Sequence, residues 1–255
     1  MDRNNYTTLH LAKTTMKIVA ISDTHCSHAK VTIPECDVLV VAGDFTWQGK
    51  YMEVLDFVSW LRVQPAKHKI VIAGNHELTF DKGHRKYDPS ARDLVANDPF
   101  GEITYLENRS VVIDGVKFYG TPWTPFFHDW GFNGIESGTV PYTNSPKLSD
   151  VFGWIDEDTD ILICHGPAYG CADQGGHGNE DERLGSNDLL KRTQQLKKLK
   201  LTISGHIHEA RGVVTHLLNG KTYANVSTLD RDYETARPPV VFTFEDGSVT
   251  SIEGF

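Results

Sequence analysis

The sequence predicts an α/β fold in which mixed β-sheets carry helices on their outside. Three kinds of signal predict it. Five short apolar runs, rich in β-branched residues, recur along the chain: Lys17–Ser22, Asp37–Ala42, Lys69–Ala73, Asp160–Cys164 and Leu201–Ser204. Segments with helical spacing of apolar residues lie among them. Asp-Gly and Asn-Gly pairs separate further apolar runs, as they do in tight hairpins.

The strand candidates are near-continuously apolar rather than alternating, which predicts that both faces are covered. The first helix is read from Tyr51, Val54, Leu55, Val58 and Leu61, which fall on one face at helical spacing. Hairpins follow at three places. Ser110–Ile113 and Val116–Tyr119 flank Asp114-Gly115; Val213–Leu218 and Lys221–Val226 flank Asn219-Gly220; Val240–Phe244 and Ser248–Ile252 flank Asp246-Gly247. A second helix fits Asn187–Leu199, with Leu189, Leu190, Leu196 and Leu199 as its apolar positions. Lys197, Lys198 and Lys200 then read as a solvated helix end favoured by the helix dipole, not as a nucleic-acid patch. Trp123–Tyr142 and Gly166–Gly185 show no periodic pattern. They are either functional loops or variable surface loops.

The chain has 255 residues, 39% hydrophobic and 23% charged, which suits a soluble globular protein. Residues 1–15 read as a polar N-terminal extension and 16–255 as a single domain. The net charge of −9 disfavours a long nucleic acid, whose binding needs many Lys and Arg contacts to phosphate. A small phosphate ester remains compatible, because bound metal ions supply local positive charge. No signal-peptide pattern or membrane-spanning run is visible, so the expected location is cytoplasmic, with no membrane partner. Cys26, Cys36, Cys164 and Cys171 form no C-x-x-C pair and read as reduced thiols. The oligomeric state is not legible.

The strand ends carry the chemistry. The first strand runs into Asp23-Thr24-His25, the second into Gly43-Asp44 and the third into Gly74-Asn75-His76-Glu77. The Asp160–Cys164 strand runs into His165-Gly166, and the Leu201–Ser204 strand into Gly205-His206-Ile207-His208. Ligands of open α/β sheets bind beyond the carboxyl ends of strands. Imidazole and carboxylate suit Mn, Fe, Zn or Ni. The i, i+2 spacing of Asp23 with His25, and of His206 with His208, projects each pair to one side if the segment is extended. Asp44 can bridge two ions about 3.5–4 Å apart, the arrangement that activates a water for phosphoryl displacement.

This ordered set resembles the calcineurin-like metallophosphoesterase superfamily, from about Met16 to about Phe244. The resemblance implies a four-layer α/β/β/α sandwich of two mixed β-sheets flanked by helices, with a dinuclear site at the strand ends. It implies that Asp23, His25, Asp44 and His208 hold one metal, and that Asp44, Asn75, His165 and His206 hold the other. His76 is then the acid beside the metals. Gly120-Thr-Pro-Trp123-Thr-Pro-Phe-Phe, Asp129-Trp-Gly-Phe-Asn133, Gly43-Asp-Phe-Thr46, Asp160-Ile-Leu-Ile-Cys-His-Gly-Pro167 and Asn225-Val-Ser-Thr228 are similar to the metallophosphoesterase-domain-containing (MPPED) family. Some animal members of that family lack the first histidine of the Gly-His-x-His element. Here His206 is present, so the ligand set is complete.

The implied function is a metal-dependent phosphodiesterase acting on small phosphodiesters, with cyclic nucleotides among the candidates. The nucleophile is a water activated by two divalent or trivalent transition-metal ions, manganese being the first candidate and Fe, Zn or Ni the others. Ser/Thr protein phosphatases carry an Asp-Arg-Gly element where this chain reads Trp47-Gln48-Gly49. Losing that arginine removes a clamp for a dianionic phosphate, unless Arg183 replaces it. The alternatives are a phosphomonoesterase or nuclease on the same site, or a nucleotide-binding scaffold with slow turnover. Glu77 either orients His76 or a ligand, or starts a helix. Trp47, Trp123 and Trp130 either stack on a nucleobase or pack internally. His128 and His177 read as exposed loop histidines, and His10, His68, His84 and His216 as surface residues.

Overall fold

This computed structural model describes residues 15–140, 144–175, 182–216 and 220–255. The 1–15 extension up to residue 14, His10, His177, and the tip of the hairpin at Asn219 lie outside the described residues. The elements in chain order are β1 (Thr15–Ile21), β2 (Cys36–Ala42), α1 (Tyr51–Arg62), β3 (Ala66–Ile72), α2 (Pro89–Ala96), β4 (Ile103–Tyr105), β5 (Arg109–Ile113) and β6 (Val116–Thr121). They continue with β7 (Thr124–Pro125), β8 (Asn133–Gly134), α3 (Leu148–Gly153), β9 (Ile161–Cys164), α4 (Asn187–Gln195), β10 (Leu201–Ser204), β11 (Gly212–Thr215), β12 (Thr222–Asn225), β13 (Val240–Glu245) and β14 (Ser248–Glu253).

Two mixed sheets result. One has the order β14-β13-β1-β2-β3-β4, the other β11-β12-β10-β9-β6-β5. In the first, β1 to β4 run parallel and β13 pairs antiparallel with β1. In the second, β12, β10, β9 and β6 run parallel. The strand pleat explains why the runs are apolar throughout. Ile18, Val38, Val40, Ile70 and Ile72 point into a central core shared with Phe118, Ile161, Ile163 and Ile203 of the other sheet. Their neighbours Val19, Leu39, Val41 and Val71 point outward onto Val54, Phe57, Val58 and Leu61 of α1 and Ala91 and Val95 of α2. Leu162 and Cys164 likewise meet Leu148, Val151 and Phe152 of α3 and Leu189 of α4. The layers are therefore helix, sheet, sheet, helix: the four-layer sandwich.

Two of the hairpins turn on residues with positive φ, Asp114 and Gly115 at 47° and 82°, Asp246 and Gly247 at 50° and 74°, the signature of a type I′ turn. The second helix is shorter than its pattern. It stops at Gln195, and Leu196 is extended although Leu196 and Leu199 stay buried. Its terminal carbonyls of Thr193 and Gln194 accept from the Lys221 ammonium. The cation at the helix end is thus Lys221, delivered from just before β12 in the sheet that α4 packs on, and not the Lys197–Lys200 cluster, which lies beyond the helix. On α1, Phe57 joins the buried face while Tyr51 is exposed and Leu55 half-buried.

Elements without a strong period escape sequence reading. Helix α2 does carry one local signal: Pro89 at its first position and Asp88 before it, whose side chain accepts from Ser90 N. β7 and β8 give the Trp123–Tyr142 stretch a two-stranded tie. Two of the surface histidines are wrongly placed by pattern alone. His84 has a buried side chain 3.6 Å from Asp129, and His216 packs on the Tyr223 ring at 5.0 Å. Both sit under structure that sequence spacing does not reveal. His68 and His128 are exposed as expected.

Candidate metal centre

The ends of β1, β2, β3, β9 and β10 converge where the two sheets touch. Ser22, just past β1, forms an isolated parallel bridge with Ser227 of the second sheet's side. Backbone bonds then join the β1 end to the β2 end, Asp23 N to Gly43 O and His25 N to Asp44 O, and the β10 end to the β9 end, Gly205 N to His165 O, each 2.9–3.0 Å. Asp23, His25, Asp44 and His206 all have positive φ, between 40° and 70°. Asp and His tolerate this region better than most residues, and such strain concentrates at functional sites. Extended i, i+2 geometry therefore does not deliver these side chains. Left-handed kinks do.

The side chains gather into overlapping groups. Asp23, His25 and His208 form one, and Asp44, His165 and His206 another, with donor atoms within 4.8 Å of one another in each. His25, Asp44 and His76 form a third. Asn75 Oδ1 lies 2.9 Å from His165 Nε2. All seven sequence-derived ligand candidates are thus together, and His76 Nε2 is 4.0 Å from Asp44 Oδ2.

The imidazoles are oriented from behind. Nδ1 of His165 donates to Ala42 O, that of His208 to Asp230 O, and that of His76 to Trp47 O, each at 2.9 Å. A carbonyl can only accept, so the proton stays on Nδ1 and Nε2 faces the centre, the tautomer that metal ligation needs. Asp23 accepts from His206 N and from Ser227 Oγ at 2.9 Å. Asp44 Oδ1 accepts from His76 N at 2.8 Å, and Oδ2 lies 3.2 Å from His165 Nε2.

Electrostatics fit a cation site. Asp23 and Asp44 are buried, which opposes ionisation, yet the neighbouring imidazoles hold both below the usual carboxylate range. Burial, then repulsion from its neighbours, pushes His206 down to about 3, and burial pushes His25 down to about 4. Burial opposes the charged form of His165 as well, but attraction to Asp44 raises it to about 9. Two buried carboxylates therefore recruit positive charge, and His25 and His206 offer lone pairs. His25 Nε2 and His208 Nε2 stand 3.3 Å apart, a contact that only a shared proton or a cation between them satisfies. The donor set matches a pair of transition-metal ions.

Glu77 is the residue whose role the sequence left open. It starts no helix. Its carboxylate accepts from Asp44 N, Thr46 N, Thr46 Oγ1 and Gly74 N at 2.7–3.0 Å, holding the β2 and β3 loops in register. Burial, then the Asp44 charge, pushes it up to about 8; four donors oppose that. Glu77→Gln turns an amide donor against two of those donors. The expected cost is about 2–4 kcal/mol, read from urea unfolding; an unchanged midpoint would contradict the assignment. Gly205 shows why small residues precede the ligands: a Cβ there would overlap the Asp23 carboxylate and Ser22 Oγ.

Aromatic rings surround the centre. Trp130 stacks on His76 at 4.1 Å and 24°. Trp47 lies 4.9 Å from His25. Tyr233, unmarked by any sequence pattern, packs on His25, His208 and Trp47 at 4.9, 4.6 and 5.4 Å. Trp123 instead packs inward on Phe132. Arg183 does not replace the absent arginine, being paired to buried Asp173 at 2.8 Å. Cys26 and Cys164 are free thiols that burial pushes up, Cys26 to about 11 and Cys164 further still.

A four-layer sandwich with Asp, Asn and His brought together from five strand ends is the architecture of a metallophosphoesterase. The chain belongs to the calcineurin-like phosphoesterase family, whose model matches residues 16–210. It is 36% identical over 239 residues to human metallophosphoesterase domain-containing protein 1, spanning 88% of this chain and 70% of that protein. A UPF0046 protein of Caenorhabditis elegans is 35% identical over 233 residues, 89% of this chain and 74% of its own length. Among solved structures, Vps29 of Entamoeba histolytica complexed with zinc aligns over 94% of this chain and 98% of its own, at 13% identity and a TM-score of 0.34.

Proposed function

We propose that this chain is a metal-dependent phosphodiesterase that hydrolyses small diesters, cyclic nucleotides among them. The observation that carries the proposal is the position of Asp44 between the donor groups, with His76 beside it. Asp23, His25, Asp44 and His208 would hold one ion, and Asp44, Asn75, His165 and His206 the second, with manganese the first candidate. When bound, the two ions lower the pKa of a water and offset charge developing on the phosphate oxygens. Asp44 fixes the spacing of the two sites. His76 keeps one proton on Nδ1 through Trp47 O, so the proton it can give to a departing alkoxide is the one on Nε2. Trp130 holds that ring in place by stacking.

The pairing of Arg183 with Asp173 supports a monoanionic diester over a dianionic phosphoprotein. We also take residues 16–255 as one domain, supported by the core that both sheets share. The four free thiols support a cytoplasmic setting; among the described residues, no helix is long and apolar enough to cross a membrane.

The test is a substrate panel with added Mn²⁺: cyclic nucleotides, linear diesters, aryl monoesters and long DNA. Diesters are expected to turn over fastest. Preference for monoesters, or cleavage of long DNA, would replace the diester reading. Nucleotide binding by calorimetry without hydrolysis would favour a scaffold.

A further inference from the structure

A groove of about 280 Å³ opens directly beside His206. Pro125, Phe126, Phe127, Leu184 and Ile207 wall it, with Glu209 also lining it. We propose that this groove seats the substituent that stays on phosphorus during diester hydrolysis, and that it selects an aromatic ring, such as a nucleobase or aryl group. The inference rests on the phosphodiesterase reading.

Size comes first. Sites that enclose a whole ligand run to roughly 300–1,000 Å³, so this groove suits one substituent and leaves the phosphate to the metal centre. Its walls are apolar and aromatic. Phe127 is 51% exposed and meets the His128 ring edge-on at 4.3 Å, so part of its apolar face stays open at the groove.

The walls are also held in place. Asn133 clamps the Phe127 loop: its Oδ1 accepts from Phe127 N at 3.1 Å, and its Nδ2 donates to His128 O and Trp130 O at 2.8 and 3.0 Å. Ile207 O accepts from Asn225 Nδ2 at 2.8 Å, and Leu184 N donates to Asp173 O at 3.1 Å. A pre-formed apolar wall loses little entropy on binding.

The other surfaces fit less well. A groove of about 370 Å³ lies beyond Trp130, but two carboxylates, Asp81 and Asp129, line it, against the single Glu209 of the groove at His206. Trp130 is itself stacked on His76. Trp47 and Tyr233 are already engaged with each other and with His25. The placement also separates the two ester groups. His76 belongs with His25 and Asp44, whereas His206 belongs with Asp44 and His165. The departing oxygen thus lies on the His76 side and the retained group on the His206 side.

The test holds the leaving group constant. The Mn²⁺-loaded protein is assayed on p-nitrophenyl esters of methyl phosphate, phenyl phosphate and thymidine 5′-phosphate. The expected ratio of kcat/KM, ring-bearing over methyl, is on the order of tenfold or more in the unaltered protein. Phe127→Ala should collapse that ratio, and Phe127→Trp should restore it. The ratio is internal to each protein, so a misfolded fraction cancels. A flat series, or a ratio unmoved in Phe127→Ala, overturns the inference while hydrolysis stands. A ratio that collapses in Tyr233→Ala alone moves the subsite to the Trp47 side and overturns it too. No turnover of any ester overturns the phosphodiesterase reading, and the inference with it.

Discussion

Asp44→Asn is expected to remove bound metal and to lower kcat/KM by at least a hundredfold. Replacing groups that merely orient metal ligands costs about 10–100-fold in affinity or activity, and Asp44 stands closer to the chemistry than those. Its Oδ2 is 3.2 Å from His165 Nε2 and 4.0 Å from the Nε2 atoms of both His25 and His76. Among the described residues, no other carboxylate joins more than one of the donor groups. Asn keeps the shape and the Oδ1 that accepts from His76 N. It removes the negative charge and one of the two acceptor oxygens. The fold should therefore survive, while metal content by elemental analysis falls together with turnover. A fully active, metal-replete Asp44→Asn protein would refute the bridging role.

His76→Ala is expected to keep both metals yet lose roughly 10²–10⁴-fold in kcat on esters with alkoxide leaving groups, the usual worth of a positioned acid. Esters of p-nitrophenol, whose anion leaves without a proton, should lose far less. His76 Nε2 also falls within ligand distance of His25 and Asp44. The metal measurement therefore decides between two roles. Loss of one metal equivalent would make His76 a ligand; retained metal with an unchanged alkyl-ester rate would leave it no catalytic role.

Much of the site was legible because its chemistry is local. An Asp, Asn or His directly after a buried apolar run is visible in one dimension, and five such runs in order carry the family resemblance. The α/β class was legible for the same reason, since strands covered on both faces leave a distinctive unbroken apolar run. Errors arose where a distant residue overrides a local pattern. The Asn187–Leu199 period continues past the point where the helix ends, because Lys221 takes its last carbonyls. His84 and His216 look like surface residues until Asp129 and Tyr223 are placed beside them.

Residue types and their order along the chain settled which donors exist, because metal affinity is a property of the side chain. Their grouping was a matter for the packed sheets alone. His206 N meets the Asp23 carboxylate across 183 residues of sequence, and no periodicity encodes that contact. Left-handed turns at Asp23, His25, Asp44 and His206, the Glu77 carboxylate between two loops, the Tyr233 ring and the groove at Phe127 all arise from that packing. The physical reason is the same in each case. A backbone conformation or a buried hydrogen bond is paid for by the whole fold, while sequence pattern records only which faces are apolar.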